Sequence, residues 1–266
     1  PMRDERGNTL VFNGMIYNHR ELRAELEAAG ERFASSCDTE VVLRACGRWG
    51  AGRAVRRLRG MFAFALHDAA TGDVVLTRDR LGIKPLYYWQ DARGLLFASQ
   101  VRALLATGRV PFRLAPEAIA SVLAFGAVAE PLTAIEGVRA LPAGAIARVR
   151  DGEISIEPYW SLPERATRTI DREAAARGLR ARLELAVSSH LVADAPAGVF
   201  LSGGADSSIL AALAAKGNGD IRTLSVVFSD DPLSERAHSD RVARHIGSTH
   251  TRVELGADDL IAALPG

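Results

Sequence analysis

The hydrophobic rhythm of the chain changes near residue 160. Before that point apolar residues recur with period two in short runs, at residues 58–66, 74–77, 86–89, 95–98, 145–150 and 153–156. Such alternation predicts strands with one buried face. Turn residues at 71–73, 91–94 and 151–152 predict hairpins between them. Residues 9–12 predict another short strand. Asn13-Gly14 after it reads as a turn, because both residues accept a positive φ. Helical spacing predicts a helix over 20–29, with Leu22 and Leu26 on one face, Asn18 as its N-cap and Gly30 past its end. A second helix is predicted over 40–47, capped by Asp38-Thr39, with two more over 101–105 and 116–124. Hairpins mixed with helices predict an α+β domain over residues 1–160.

Residues 161–171 are polar, contain Pro163, and predict a linker. Beyond it strand and helix alternate. A long helix over 172–189 carries Leu179, Leu183 and Val187 on one stripe. Strand 199–201, helix 209–215, strand 223–228, helix 235–246 and strand 251–255 follow. This order predicts an α/β doubly wound parallel sheet for residues 172–266, with ligands at the carboxyl ends of its strands.

Composition narrows the function little. A net charge of +1 over 266 residues gives no electrostatic case for nucleic acid or an acidic membrane surface. No apolar run approaches the ~18 residues of a membrane span. Two cysteines, Cys37 and Cys46, are too few for a disulfide scaffold and fit a reducing compartment. The six histidines lack metal-ligand spacing and read as solvated or structural.

One stretch carries chemistry. Val199, Phe200 and Leu201 are apolar. Ser202, Gly203, Gly204, Ala205, Asp206, Ser207 and Ser208 then form a small polar loop before an Ala- and Leu-rich helix. Strand, glycine loop and helix bring unpaired N–H groups and a positive helix end to one point, an anion site. The glycines admit a phosphate, the serines add donors, and Asp206 beside a polyphosphate implies a bridging Mg²⁺. There is no Walker A lysine and no G-x-G-x-x-G. The string S-G-G-x-D-S-S resembles the pyrophosphate loop of ATP pyrophosphatases, which cleave ATP between its α and β phosphates.

In the first half, VFNGMIYNHRELRAEL, DTEVVL, RLRGMFAFALHD, TRDRLGIKPLYY and FASQVRAL resemble class II glutamine amidotransferase domains. Joined to SGGADSS, they resemble bacterial glutamine-hydrolysing asparagine synthetases over residues 10–255. The resemblance implies an N-terminal-nucleophile hydrolase fold, an αββα sandwich, followed by an adenine-nucleotide α-hydrolase-like domain. It implies glutamine, ATP and aspartate as small-molecule substrates, Mg²⁺ as cofactor, a cytoplasmic setting and room for a homodimer, with no nucleic-acid or membrane partner. Asn13 and Gly14 would donate to the oxyanion of glutamine hydrolysis, and Asp38 would hold the glutamine α-ammonium, a role compatible with capping a helix. Leu201, Ser202, Gly203, Gly204, Asp206, Ser207, Ser208 and Val226 would bind ATP, and Asp206 the metal. Val226 also reads as a simple buried strand valine, and Glu235 as either a site carboxylate or a first-turn helix residue. Arg80, Gly82 and Lys84 are expected to organise structure.

The chain departs from the family pattern in three places. The family nucleophile is an N-terminal cysteine, and Pro1 cannot replace it; the nucleophile and the arginine gripping the glutamine carboxylate are expected before this sequence. Met15 stands where the family has glutamate. The later synthetase motifs, S-G-x-G-x-D-E and a lysine, are expected beyond Gly266. A relative with altered glutaminase, β-lactam synthetase-like or acting in polysaccharide or secondary metabolism, and an inactive nucleotide-binding fragment are the alternatives.

Overall fold

The computed structural model describes residues 1–163, 169–192, 196–217, 219–228 and 235–263. They divide into two units, Pro1–Arg165 and Ala166–Gly266, each described by itself. The expected linker includes residues 164–168, which lie outside the described residues.

The first unit holds β1 (Met2–Arg3), β2 (Thr9–Ile16), α1 (His19–Ala28), α2 (Asp38–Trp49), α3 (Ala51–Arg57), β3 (Gly60–His67), β4 (Val74–Arg78), β5 (Tyr87–Asp91), β6 (Gly94–Ala98), α4 (Val101–Leu105), α5 (Pro116–Phe125), β7 (Arg139–Ala140), β8 (Ala145–Arg150) and β9 (Glu153–Pro158). Two antiparallel sheets form, ordered β1-β2-β3-β4-β8-β9 and β6-β5-β7. Alternation sorts the side chains of the larger sheet onto two faces. Leu10, Ile16, Phe62, Phe64, Leu66, Val75 and Ile146 pack with Leu22 and Leu26 of α1, Val41 and Val42 of α2, and Val55 of α3. Ala63, Ala65, Leu76, Ala145 and Ala147 face the other way and meet Tyr88, Leu95 and Phe97 of the smaller sheet. Alanine at these positions lets the two sheets pack closely around the larger residues. The far face of the smaller sheet, with Tyr87, Trp89, Leu96 and Ala98, meets Val101 and Leu104 of α4. The layers run helix, sheet, sheet, helix. Each fully buried Leu or Phe contributes about 1.5–3 kcal/mol.

Asn13-Gly14 does not turn the chain. β2 runs through it, and its register with β3 is unbroken from Thr9↔His67 to Ile16↔Gly60. Ile16, fully buried, anchors the extended end. Glycine at position 14 serves a close approach: a Cβ there would lie 2.2 Å from the Met61 carbonyl oxygen and 2.7 Å from Phe62 Cα. Asp38 is not a cap either. Cys37 holds the N-cap position of α2, and Asp38 is the first helical residue. Asn18 sits at the N-cap of α1 without a capping bond. Its amide instead accepts from Arg59 N–H (2.9 Å) and donates to the Arg57 carbonyl (3.1 Å).

The second unit holds α6 (Arg172–His190), β10 (Gly198–Phe200), α7 (Ala205–Gly217), β11 (Arg222–Phe228), α8 (Arg236–Ile246), β12 (Thr249–Leu255) and α9 (Ala257–Ala263). The three strands are parallel, in the order β10-β11-β12. Strand order follows chain order, so the described strands contain no reversal of the doubly wound kind. Val199 and Leu201 pack with Ala211 of α7 and with Val242, Ala243 and Ile246 of α8. Asp171 caps α6, accepting from Glu173 N–H (2.9 Å) and Ala174 N–H (3.0 Å). Of the expected α6 stripe, Leu183 and Val187 are half-buried and Leu179 is 61% exposed; α6 packs beside α7, where Lys216 Nζ donates to the Glu184 carboxylate at 3.2 Å. No described helix is long and apolar enough to cross a membrane.

Candidate active-site elements

The first site element forms on β2. Asn13 and Met15 share the face opposite to Leu10 and Ile16. The Asn13 Nδ2 donates to Ser99 Oγ, just past β6, at 3.2 Å. Backbone groups alternate as well. Tyr17 N–H turns to β3 and donates to the Arg59 carbonyl at 2.7 Å. Phe62, opposite Gly14, directs its N–H to the Asp79 carboxylate (3.1 Å), and its carbonyl accepts from Asp79 N–H (2.8 Å). Gly14 and Ile16 therefore turn their N–H groups away from β3. On that edge β1 pairs only with Thr9 and Leu10. Asp38 Oδ2 accepts the Ile16 N–H at 2.8 Å, and the Gly14 N–H faces the same edge. The structure thus brings Asn13, Gly14 and Asp38 to one end of one strand.

Asp38 is placed by a polar network that sequence periodicity does not reveal. Glu40, with a side chain 6% exposed, accepts from Ala34 N–H (2.9 Å), Ser35 N–H (2.7 Å) and Ser35 Oγ (2.7 Å). Arg44 bridges Glu40 (3.4 Å) and Glu5. Burial alone would raise the Glu40 carboxyl, but its bonds from Ala34, Ser35 and Arg44 hold it below the ordinary value. This clamps the loop that leads into α2. Cys46 lies in the core of the same helix, and burial pushes its thiol up to about 12, so it is no nucleophile at neutral pH. Cys37 is half-buried, with Sγ 3.0 Å from Ser35 Oγ.

The R-D-R-L-G-I-K-P loop is organised by Arg80 and Gly82, as expected, together with Arg78 and Asp79, which were not singled out from sequence. Asp79 is 1% exposed and accepts from the N–H groups of Phe62 (3.1 Å), Leu81 (3.1 Å), Ile83 (3.0 Å) and Lys84 (2.9 Å). Arg78 donates to the carbonyls of Lys84 (2.9 Å), Gly82 (2.7 Å) and Leu141 (2.9 Å) and pairs with Glu130 (2.8 Å). Arg80 donates to the carbonyls of Leu58 (2.7 Å) and Arg56 (2.9 Å). Gly82 turns the loop at φ +66°. Lys84 enters through its backbone. An acidic residue in a run of turn-prone residues was the available signal for Asp79.

The second element lies where β10 meets α7. The helix starts at Ala205, so Asp206, Ser207 and Ser208 occupy its first turn rather than the preceding loop. Gly203 has φ +93°, and a Cβ there would lie 2.7 Å from Ser239 N and 2.8 Å from His238 Cβ. Both the conformation and the approach of α8 require glycine. Ser202 Oγ and Ser207 Oγ lie 2.9 Å apart; Ser207 Oγ also accepts from Ser202 N–H (3.2 Å), and Ser202 Oγ from Gly204 N–H (3.3 Å). Ser208 Oγ is buried without a hydrogen-bond partner. A glycine cradle, a helix start and an orphaned hydroxyl fit an anionic phosphate. Asp206 is exposed in that turn, and no group of three or more His, Cys, Asp or Glu side chains that could hold a metal occurs among the described residues. Leu201 is 1% exposed and tied to β11, its N–H donating to the Leu224 carbonyl at 2.8 Å. Val226 is 47% exposed, not a buried strand valine, because it shares the face of β11 opposite to the packed Thr223, Ser225 and Val227. Glu235 is the N-cap residue of α8, and its carbonyl accepts from His238 and Ser239 N–H, each at 3.0 Å.

Comparison with known proteins accords with both elements. A family model described as a glutamine amidotransferase domain matches residues 1–160, and one described as asparagine synthase matches residues 178–266. Asparagine synthetase (glutamine-hydrolyzing) 3 of Bacillus subtilis is 31% identical over 271 residues, covering 95% of this chain and 44% of that protein. Asparagine synthetase B (glutamine-hydrolyzing) of Escherichia coli is 30% identical over 280 residues, covering 98% and 44%. A Mycobacterium tuberculosis relative with asparagine synthetase in its name is 38% identical over 264 residues, covering 96% and 40%. The chain thus spans less than half the length of these curated relatives. With its β2-edge donors in the first matched segment and its glycine cradle in the second, the chain belongs to the glutamine amidotransferase family, its amidotransferase segment joined to one of the asparagine synthase type.

Proposed function

We propose that this chain is the glutaminase half and the opening ATP-binding segment of a glutamine-hydrolysing asparagine synthetase. Residues 1–160 act as an N-terminal-nucleophile glutaminase domain, 161–171 as a linker, and 172–266 as the start of an adenine-nucleotide α-hydrolase-like domain. The observation that carries this reading is the pairing, on one chain, of an amide-hydrolysis donor set with a pyrophosphate cradle in segments matching those two family models.

In the first unit the attacked glutamine amide becomes a tetrahedral oxyanion. The Asn13 carboxamide and the Gly14 N–H donate to it, while Asp38, with one oxygen engaged by Ile16, offers the other to the substrate α-ammonium. The oxyanion forms as the N-terminal thiol of this enzyme class adds to the amide carbon; its collapse breaks the C–N bond and expels ammonia, and water cleaves the resulting thioester to glutamate. In the second unit Ser202, Gly203, Gly204, Ser207 and Ser208 hold the β and γ phosphates of ATP, Leu201 and Val226 border the adenine, and Asp206 would hold Mg²⁺. The metal, when bound, neutralises charge on the departing pyrophosphate. Attack of the aspartate carboxylate on the α-phosphorus gives an acyl-adenylate and pyrophosphate. Ammonia then displaces AMP to give asparagine.

Met15 supports a second reading. It pairs with Met61 next to the residue that holds Asp38, and a thioether there supplies no charge for an ammonium. On this reading the scaffold adenylates another carboxylate and uses glutamine poorly. Exchange of labelled pyrophosphate into ATP separates the two in the complete protein. Exchange that requires aspartate supports asparagine synthesis; exchange supported only by other carboxylates refutes it.

A further inference from the structure

We propose that Ser99 is a positioning residue for glutamine hydrolysis, holding the Asn13 carboxamide in the orientation its donor role requires. The proposal rests on the oxyanion reading given above. Ser99 and Asn13 come from different sheets, 86 positions apart in sequence, and meet at 3.2 Å. The two donors of that reading differ in kind. The Gly14 N–H is backbone, fixed by an unbroken strand register. The Asn13 donor sits on a side chain whose last torsion is broad and nearly two-fold. Left alone, that amide turns through a broad range of planes, and its N–H points at the oxyanion in only part of it. A primary amide carries two N–H bonds on one nitrogen. Ser99 Oγ takes one, and amide planarity then fixes the direction of the other. Oxyanion donors act by being oriented before charge develops, so a loosened amide loses rate rather than substrate affinity. Ser99 is itself well placed: the preceding Ala98 is paired with Tyr87, and α4 starts two residues later at Val101.

Side-chain amide NMR on the 266-residue chain and glutaminase kinetics of the complete protein test this together. In the wild type one Asn13 side-chain proton is expected to exchange slowly with water. In Ser99→Ala both are expected to exchange at the rate of an exposed asparagine, and Ser99→Thr restores protection. Ser99→Ala is expected to lower kcat about 10-fold, below the 10²–10³ of removing a donor outright. KM for glutamine should stay within about twofold, and Ser99→Thr should approach wild type. Unchanged Asn13 exchange or unchanged kcat in Ser99→Ala overturns the proposal. Asn13→Ala keeps the two ideas apart. If it leaves kcat intact, the oxyanion reading fails. If it lowers kcat while Ser99→Ala does not, only the role of Ser99 fails.

Discussion

Asp38 holds the Ile16 N–H and, on the proposed function, the glutamine α-ammonium; a pair of substitutions separates the two roles. One carboxylate oxygen accepts the N–H of Ile16, a fully buried residue, at 2.8 Å. The other is assigned to the glutamine ammonium. Asp38→Ala orphans the Ile16 N–H, which costs about 1–3 kcal/mol. At about 2–4 °C per kcal/mol for a unit of this size, the melting temperature falls by about 2–12 °C. Asp38→Asn keeps an acceptor oxygen on the Ile16 N–H and gives up only the charge. Its structural cost is about 1 kcal/mol, or about 2–4 °C. Its effect on glutamine is larger, because a hydrogen bond to a charged group is worth about 1.5–3 kcal/mol. That weakens glutamine binding by about 10- to 150-fold. Differential scanning calorimetry of both variants, with titration calorimetry against glutamine, checks both parts. If Asp38→Asn melts as low as Asp38→Ala, the Ile16 bond is not what Asp38 provides to the fold. If Asp38→Asn binds glutamine like the wild type, the ammonium role is refuted.

Three further outcomes follow from the same geometry. Gly14→Ala drives a Cβ into the backbone of Met61 and Phe62, so it costs about 3 kcal/mol, at the upper end of overpacking; a thermal melt within 1 °C of wild type contradicts the close approach. Ser208→Ala removes a buried hydroxyl with no partner, so stability holds or rises slightly while nucleotide affinity falls about 10- to 150-fold in a binding titration; equal losses in both would make the hydroxyl merely structural. Glu40 has a folded-state pKa below its ordinary 4.5, so its stabilisation is present above that pH and is lost as pH falls through the depressed value. Glu40→Gln should therefore lower stability at neutral pH by about 1–3 kcal/mol and flatten the acid limb of stability against pH; an unchanged acid limb removes Glu40 from the account.

Periodicity made most elements legible. The runs at 145–150 and 101–105 form β8 and α4, and the hairpins at 71–73, 91–94 and 151–152 form where turn residues cluster. Two of the failures share one physical cause: a residue type that suits two environments. Asn13-Gly14 is a strong local turn signal, yet here glycine answers a non-local demand, the backbone of β3. Asp206 and Ser207 look like loop residues but equally favour a first helical turn, where α7 places them. The α6 stripe is half-buried at Leu183 and Val187 and exposed at Leu179, because spacing does not fix how much of a helix face its neighbour covers. Short α3 was missed because its buried face is only Ala51, Ala54 and Val55, too short a run to show a period.

The candidate site residues are legible in motifs, and their supports are not. Asn13, Gly14 and Asp38 are singled out through the family resemblance, and the Ser202–Ser208 string by its residue types as well. Asp79 with four N–H donors and Glu40 with its clamp on Ala34 and Ser35 are visible only once distant backbone converges on them. A buried carboxylate leaves no periodic trace, because its partners are set by tertiary structure.

The central claim is that glutamine hydrolysis and adenylation of aspartate belong to one enzyme. Its most direct test supplies the complete protein with glutamine labelled with ¹⁵N at the amide, aspartate, ATP and Mg²⁺, and follows products by mass spectrometry and pyrophosphate release. The account predicts ¹⁵N in the asparagine amide, with one pyrophosphate and one AMP per asparagine. Pyrophosphate release that ignores aspartate, or ADP in place of AMP, contradicts it.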